Sequence, residues 1–226
     1  MINPTTFRQI NQTLQSKNAR LVAVSKFKTA EDIQALYDLG QRDFGENYVQ
    51  ELVAKQAELS GDIRWHFIGH LQRNKVKYIA PFVQLIHSVD SFKLLAKINK
   101  EAAKHERNID CLLQIHVTEE STKTGMNDKE LLEFYSYYEA QKDQLKNVTI
   151  RGIMGMATLT DNQEQVRKDF QQLKTIFDAA QKSYFLFDNN FDTLSMGMSG
   201  DYELALDEGS TMLRIGSLLF GRRSTQ

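Results

Sequence analysis

Cysteine and proline are nearly missing from this 226-residue chain, which has only Cys111, Pro4 and Pro81. A lone thiol excludes a disulfide within the chain and suits a reducing compartment. With so few prolines, no Gly/Ser-rich linker and no charge block, nothing marks a domain boundary, and residues 1–226 read as one domain. Long apolar runs are absent too. No stretch approaches a membrane span, and the opening "MINPTTFRQINQ" has no apolar core of signal-peptide length. Nor does one sign of charge dominate: 28 basic residues face 29 acidic ones, for a formal charge of −1. That balance gives no electrostatic reason to expect nucleic acid or an anionic membrane as partner. A cytoplasmic protein is the expectation. The triplets at Asn11 and Asn147 match the glycosylation pattern but, without a secretory signal, read as chance.

What the chain does contain is a regular alternation. Short apolar runs suggest strands at Leu21–Lys26, Asp43–Asn47, Arg64–Gly69, Phe82–Val89, Asp110–Val117, Thr149–Met156, Thr193–Met198 and Met212–Ile215. Helical patterns fall between them at Thr29–Leu39, Tyr48–Leu59, Gln72–Ala80, Ser91–Glu106, Asn127–Leu145, Asn162–Tyr184 and Tyr202–Glu208. An extra helix, Thr5–Ser16, comes first. The clearest face is Val166, Phe170, Leu173, Phe177, Ala180 and Tyr184, spaced alternately by four and three residues. Gly40 and Gly209 sit where helix C-caps belong. Strands alternating with helices imply a parallel sheet covered by helices. An open doubly wound sheet is the alternative, but no dinucleotide fingerprint is present. The pattern therefore favours an α/β fold of the closed (β/α)8 TIM-barrel type.

In such barrels functional residues collect at the carboxyl ends of strands, with phosphates near the loops after strands 7 and 8. Ser199-Gly200 leads into a helix with Asp201 at its N-cap, and Gly216-Ser217 opens the final "SLLFG" segment. Small residues let backbone N–H groups approach an oxyanion. Glycines that merely turn the chain are the plainer reading of each bend taken alone. Arg214, two residues before Gly216 in an apolar strand, is a permanent cation that needs a partner. That partner is either a carboxylate such as Asp207 or Glu208, or an acceptor on a ligand.

Lys26, at the end of the first apolar run, is by itself more often a solvent-facing lysine than a reactive one. Beside a phosphate turn and an inward arginine it becomes a candidate Schiff-base nucleophile, its pKa depressed by burial and by Arg214. An aldehyde carrying a phosphate and a ring nitrogen fits all three features, and pyridoxal 5′-phosphate is that molecule. A metal-dependent hydrolase is the rival, suggested by His66, His70, His87 and His116 on or beyond strands 3 to 5. It lacks an HxH pair and an obvious third ligand, so no metal site is assigned. Cys111 reads as packing. Phe134, Tyr135, Tyr137 and Tyr138 read as helix core plus exposed tyrosine.

Taken in order, "AVSK", "FGENYVQE", "WHFIGHLQRNK", "HSVDS", "TKTGM", "RGIMGM", "LSMGMSGDYELALDEGSTMLRIGSLLFG" and "FGRR" span most of the chain. In these motifs it resembles the pyridoxal phosphate homeostasis proteins, the family named for its proline synthetase co-transcribed member. The resemblance implies a barrel of the alanine racemase N-terminal-domain type and pyridoxal phosphate bound as a Schiff base on Lys26. It implies Arg214 at the pyridine nitrogen and Ser199, Gly200, Gly216 and Ser217 at the phosphate, with Ser210 and Thr211 nearby. Asn47 would face the ring, with His70 and Met154 as neighbours. Phe27-Lys28-Thr29 departs from the family's usual threonine, basic residue and proline, and makes Lys28 a competing amine.

Arginine donates a hydrogen bond to the ring nitrogen without yielding its proton, so the ring is a weak electron sink. Racemases add a second base from another domain, which the chain, ending at Gln226, is expected to lack. The favoured function is therefore a binding protein for vitamin B6 homeostasis, with no catalytic residue. It would buffer pyridoxal phosphate as a monomer and hand it to dependent apoenzymes. A small pyridoxal-phosphate enzyme, such as a low-efficiency amino-acid racemase, is the runner-up. A pure scaffold would leave Lys26 and Arg214 unexplained.

Overall fold

The computed structural model describes residues 2–118 and 124–221. Eight parallel strands close into a barrel in chain order: β1 (Arg20–Val24), β2 (Asp43–Glu46), β3 (Arg64–Phe67), β4 (Leu85–Val89), β5 (Ile109–Gln114), β6 (Val148–Met154), β7 (Thr193–Ser195) and β8 (Met212–Ile215). The closing seam pairs β1 with β8, with Val22 opposite Arg214. Around the barrel run α1 (Pro4–Ser16), α2 (Ala30–Asp38), α3 (Val49–Glu58), α4 (Val76–Ile79), α5 (Phe92–Ala103), α6 (Asp128–Gln141), α7 (Gln163–Ser183), α8 (Tyr202–Asp207) and α9 (Ser217–Phe220). This is the (β/α)8 barrel with an additional leading helix that the alternation predicts.

Local chemistry sets the helix ends. Pro4 opens α1, where its missing N–H costs nothing, and Asn3 caps the helix by accepting from Thr6 N–H at 3.1 Å. Asn127 and Glu130 form a reciprocal capping box on α6. Gly40 and Gly209, at φ +102° and +91°, take the left-handed turn after α2 and α8 that a side chain would oppose. Expected boundaries moved at several elements, most strands ending earlier than their apolar runs. β4 begins at Leu85 because Pro81 stops α4 and the chain turns through Phe82 and Val83 first. The Gln72–Ala80 helix splits into a 3-10 turn, Arg73–Lys75, and α4. β1 ends at Val24, so Lys26 lies in the following turn and does not close the strand.

Two apolar layers form. Phe44, Trp65, Phe67, Ile86, Phe170 and Leu173 pack between strands and helices. Each such side chain removed from water contributes roughly 1.5–3 kcal/mol. Val22, Leu85, Leu112, Met154 and Met212 make a separate cluster, on the strand faces that alternate with the first set. Cys111 is fully buried with its thiol pKa pushed up by desolvation, consistent with packing. Phe134 and Tyr135 are buried and Tyr137 is exposed, as the helical pattern predicts. Among the described residues no helix is long and apolar enough to cross a membrane.

Candidate functional site

Lys26, Asn47, Ser199, Gly200, Arg214, Gly216 and Ser217 line one cavity of about 350 Å³. Each but Arg214 stands just past the carboxyl end of a strand, the face where barrels carry their chemistry. The volume lies in the range of small-molecule sites. Met154 also lines it, together with residues not anticipated from the sequence: Ile68, Met156 and Met198. They supply apolar wall and carry no sequence signal that separates them from core.

A buried ionic cluster holds the turn that carries Lys26. Lys55 Nζ donates to Glu46 Oε1 at 2.8 Å, to Glu51 Oε1 at 2.6 Å and to the Ser25 carbonyl at 2.8 Å. Ser25 Oγ donates to Glu46 Oε1 at 2.6 Å, and the Phe27 N–H donates to Glu51 Oε1 at 2.5 Å. Both neighbours of Lys26 are thus tied to this cluster, Ser25 through Lys55 and Glu46 and Phe27 through Glu51. Phe27 sits at φ +61°, a conformation costing a non-glycine residue roughly 1–2 kcal/mol. The cluster holds it there. Burial raises the Glu46 pKa, although Lys55 pulls the other way. The sequence places Glu46 and Asn47 at the end of strand 2 but gives no hint that Lys55, four residues after Glu51, turns back into the fold.

The opposite wall is Arg214, which is buried and has no carboxylate within ion-pair distance among the described residues. Both carboxylates suggested for it are engaged elsewhere: Asp207 with Lys17, and Glu208 with Arg167. Arg214 donates to the Ser195 carbonyl at 2.8 Å, to Ser195 Oγ at 2.7 Å and to the Gly155 carbonyl at 2.9 Å. Those three bonds leave two of its five N–H groups. Desolvation lowers its pKa to about 10, partly offset by Asp201, so it stays a cation at neutral pH.

The two small-residue turns meet. The Gly216 N–H lies 3.4 Å from Ser199 Oγ, within reach of one shared oxyanion. A Cβ on Gly216 would stand 3.1 Å from the Val24 carbonyl, so the bend must stay bare to pack on β1. Gly200 has open space around it. Asp201 occupies the N-cap position of α8 but makes no side-chain cap, and its carboxylate accepts from Met198 N–H at 2.5 Å. Asn47 Oδ1 is buried with no hydrogen-bond partner among the described residues. An orphaned acceptor of that kind is costly unless a ligand satisfies it.

Other expected residues stand apart. Ser210 and Thr211 precede β8, at the end opposite Gly216. Ser210 Oγ donates to the Met196 carbonyl at 2.7 Å, and Thr211 Oγ1 accepts from Leu194 N–H at 2.9 Å. Their hydroxyls tie β8 to β7, away from the cavity. His70 is outside it too, 3.5 Å from Asp90. Lys28 does reach the cavity wall, but its Nζ donates to the Phe220 carbonyl at 3.1 Å. His66 and His87 face each other inside the barrel and His116 meets Thr118. No cluster of three potential metal ligands occurs among the described residues. Thr122 and Lys123 of "TKTGM", and Arg222 and Arg223 of "FGRR", lie outside the described residues.

Comparison with known proteins places this geometry. The family model described as "Alanine racemase, N-terminal domain" matches residues 5–224. A pyridoxal phosphate homeostasis protein of Aquifex aeolicus is 41% identical over 206 residues, covering 91% of this chain and 87% of the relative. One from Synechocystis sp. is 37% identical and covers 99% of this chain and 100% of its own length. The solved structure of PipY from Synechococcus elongatus with pyridoxal phosphate bound superposes with a TM-score of 0.86 at 35% identity, covering 96% of this chain and 99% of that one.

Proposed function

The chain belongs to the alanine racemase N-terminal-domain family and, within it, to the pyridoxal phosphate homeostasis proteins, and on that premise we propose that it binds pyridoxal 5′-phosphate in the cavity between Lys26 and Arg214. One observation carries the assignment of residues. An amine, a guanidinium with unspent N–H groups and two adjoining small-residue turns converge on a single cavity that also holds an orphaned amide oxygen. Bound there, the cofactor would supply an electrophilic aldehyde conjugated to an electron-withdrawing ring.

This chain's own groups divide the binding. Lys26 Nζ provides the amine for the covalent link to the aldehyde. Ser199, Gly200, Gly216 and Ser217 take the phosphate through hydroxyl and backbone donors. Arg214 donates to the ring nitrogen, and Asn47 lies against the ring. Ser210 and Thr211 are left out of this set, since their hydroxyls are spent on the β7–β8 contact. Lys26 matches the family's lysine position and Lys28 does not; the Lys28 nitrogen donates to the Phe220 and Gly221 carbonyls.

Homeostasis by holding and releasing the cofactor fits this arrangement better than turnover. Arg214, cationic at neutral pH, keeps its proton and leaves the ring nitrogen uncharged. Among the described residues, the titratable groups lining the cavity besides Lys26 are Arg214 and Lys28, and the Lys28 nitrogen donates to the Phe220 carbonyl. We further infer one cofactor-binding domain over residues 1–226, acting as a cytoplasmic monomer, with dependent apoenzymes as recipients. Two measurements test the reading. The purified protein with pyridoxal phosphate should be yellow, and Lys26→Ala should lose the band. In deuterated water an amino-acid panel should show no α-proton exchange above free cofactor. Brisk exchange with one amino acid would replace the carrier with an enzyme.

A further inference from the structure

The barrel interior holds a continuous run of polar contacts that ends on Arg214. Asp43 Oδ1 is 2.9 Å from His66 Nε2, and His66 Nδ1 is 3.0 Å from His87 Nε2. His87 Nδ1 is 3.3 Å from Ser195 Oγ, which lies 2.7 Å from Arg214 Nη1. The run crosses from the first residue of β2, through β3, β4 and β7, to β8. His66, His87, Ser195 and Arg214 are all buried. So many polar groups in an interior are tolerated only when each donor finds an acceptor.

That requirement fixes the direction of every bond. Arg214 can only donate, so Ser195 Oγ accepts from it and passes its own hydrogen to His87 Nδ1. His87 then carries hydrogen on Nε2 and donates to His66 Nδ1. His66 Nε2–H in turn donates to Asp43. Asp43 is well suited to close the run, because it also accepts from Arg64 Nε at 2.8 Å and Nη2 at 2.6 Å. A second proton on His66 would reverse the middle of the run. Ser195 would then face two donors, and its own hydrogen would have no acceptor in the chain. Burial holds the His87 pKa well below its usual value, assisted by the neighbouring His66 and Arg214. A neutral His87 therefore suits the site.

We propose that Ser195 and His87 are positioning residues for Arg214. Their one-way chain to Asp43 fixes the guanidinium fork so that its remaining N–H groups face the ring-nitrogen end of bound pyridoxal phosphate. The proposal rests on the cofactor reading above and explains how a cation with no counter-ion keeps one orientation. Two backbone carbonyls alone constrain a guanidinium less than the full set does. The Ser195 hydroxyl supplies the third anchor, and the histidines orient that hydroxyl.

Two measurements on the full chain test it. Long-range proton–nitrogen NMR of the imidazoles should find His66 and His87 both neutral with hydrogen on Nε2. Hydrogen on His87 Nδ1 would overturn the direction of the chain. The second compares wild type, Ser195→Ala, His87→Leu and His87→Gln loaded with pyridoxal phosphate. Ser195→Ala retains both backbone acceptors of Arg214, yet should shift the bound cofactor's absorption band and speed its release about fivefold, the scale of one lost hydrogen bond. His87→Leu should do the same. His87→Gln, whose amide offers both N–H donors and a carbonyl acceptor, should recover most of the wild-type spectrum. Should His87→Leu fail to fold, Ser195→Ala carries the test. A wild type that retains no cofactor overturns the cofactor reading itself. A wild type that retains it, beside a Ser195→Ala protein of identical spectrum and release rate, overturns only the positioning role.

Discussion

Two buried cations flank the cavity, and they are kept in opposite ways. Lys55, behind the Lys26 turn, has two carboxylates and a carbonyl on its ammonium group. Arg214, across the cavity, has two carbonyls and a hydroxyl, all neutral. The first charge is compensated inside the fold and serves to hold backbone in place. The second has no ion pair among the described residues and only a partial offset from Asp201, which on the proposed reading leaves its spare donors for the ligand. Burial alone does not distinguish a structural cation from a binding one. The formal charge of its partners does.

Substitutions should expose that contrast. Lys55→Met removes the cation that bridges Glu46 and Glu51 and strands buried carboxylate. It should cost about 3–5 kcal/mol in urea unfolding, the usual penalty for breaking a buried pair. Arg214→Met strands only neutral acceptors and should cost less, about 1–3 kcal/mol. It should nevertheless weaken retention of pyridoxal phosphate about tenfold or more in equilibrium dialysis. If Arg214→Met proved the costlier for folding, the contrast between the two walls would fail.

The carboxylates should respond to pH with opposite signs. Burial would raise Asp43, but hydrogen bonds from Arg64 and His66 outweigh it and hold its pKa well below the ordinary value of 3.8. Its contribution is present above that value and fades as pH falls through the depressed pKa. Asp43→Asn should therefore be destabilising at pH 7, with the gap to wild type narrowing in acid. Glu46 is raised above 4.5 by burial. Its contribution is complete below 4.5 and is lost as pH rises through the folded pKa. Glu46→Gln should accordingly gain on wild type as pH climbs from about 4.5. Chemical denaturation across pH checks both. The smallest effect belongs to Lys28→Ala, which loses a hydrogen bond to the Phe220 carbonyl and a longer one to the Gly221 carbonyl. About 0.5–1.5 kcal/mol is expected in thermal unfolding, with no change in the yellow band.

Much of this was legible in the sequence, for a physical reason. Strand and helix periods, caps such as Asn127 and turns such as Gly209 are local signals, and they gave the barrel in order. Once strand order is known, the carboxyl ends follow, and with them Lys26, Asn47, Ser199 and Gly216. Whatever depended on distant partners was not legible. His66 lies between Trp65 and Phe67, and His87 follows Ile86, all three packed in the layer between strands and helices. That alternation points them into the barrel, but nothing local says they meet. Ser210 and Thr211 lie only six and five residues before Gly216, yet the length of β8 carries them to the other end of the barrel. Nothing local separates Lys55 from other helix lysines, because Ser25 and Glu46 lie 30 and 9 residues away in the chain.

The most direct test is chemical. The full chain is incubated with pyridoxal phosphate, reduced with borohydride, digested and mapped by mass spectrometry. A pyridoxyl group confined to Lys26 is the expected result. Its appearance on Lys28 or scattered surface lysines, with Lys26 unmodified, would contradict the site between the two walls.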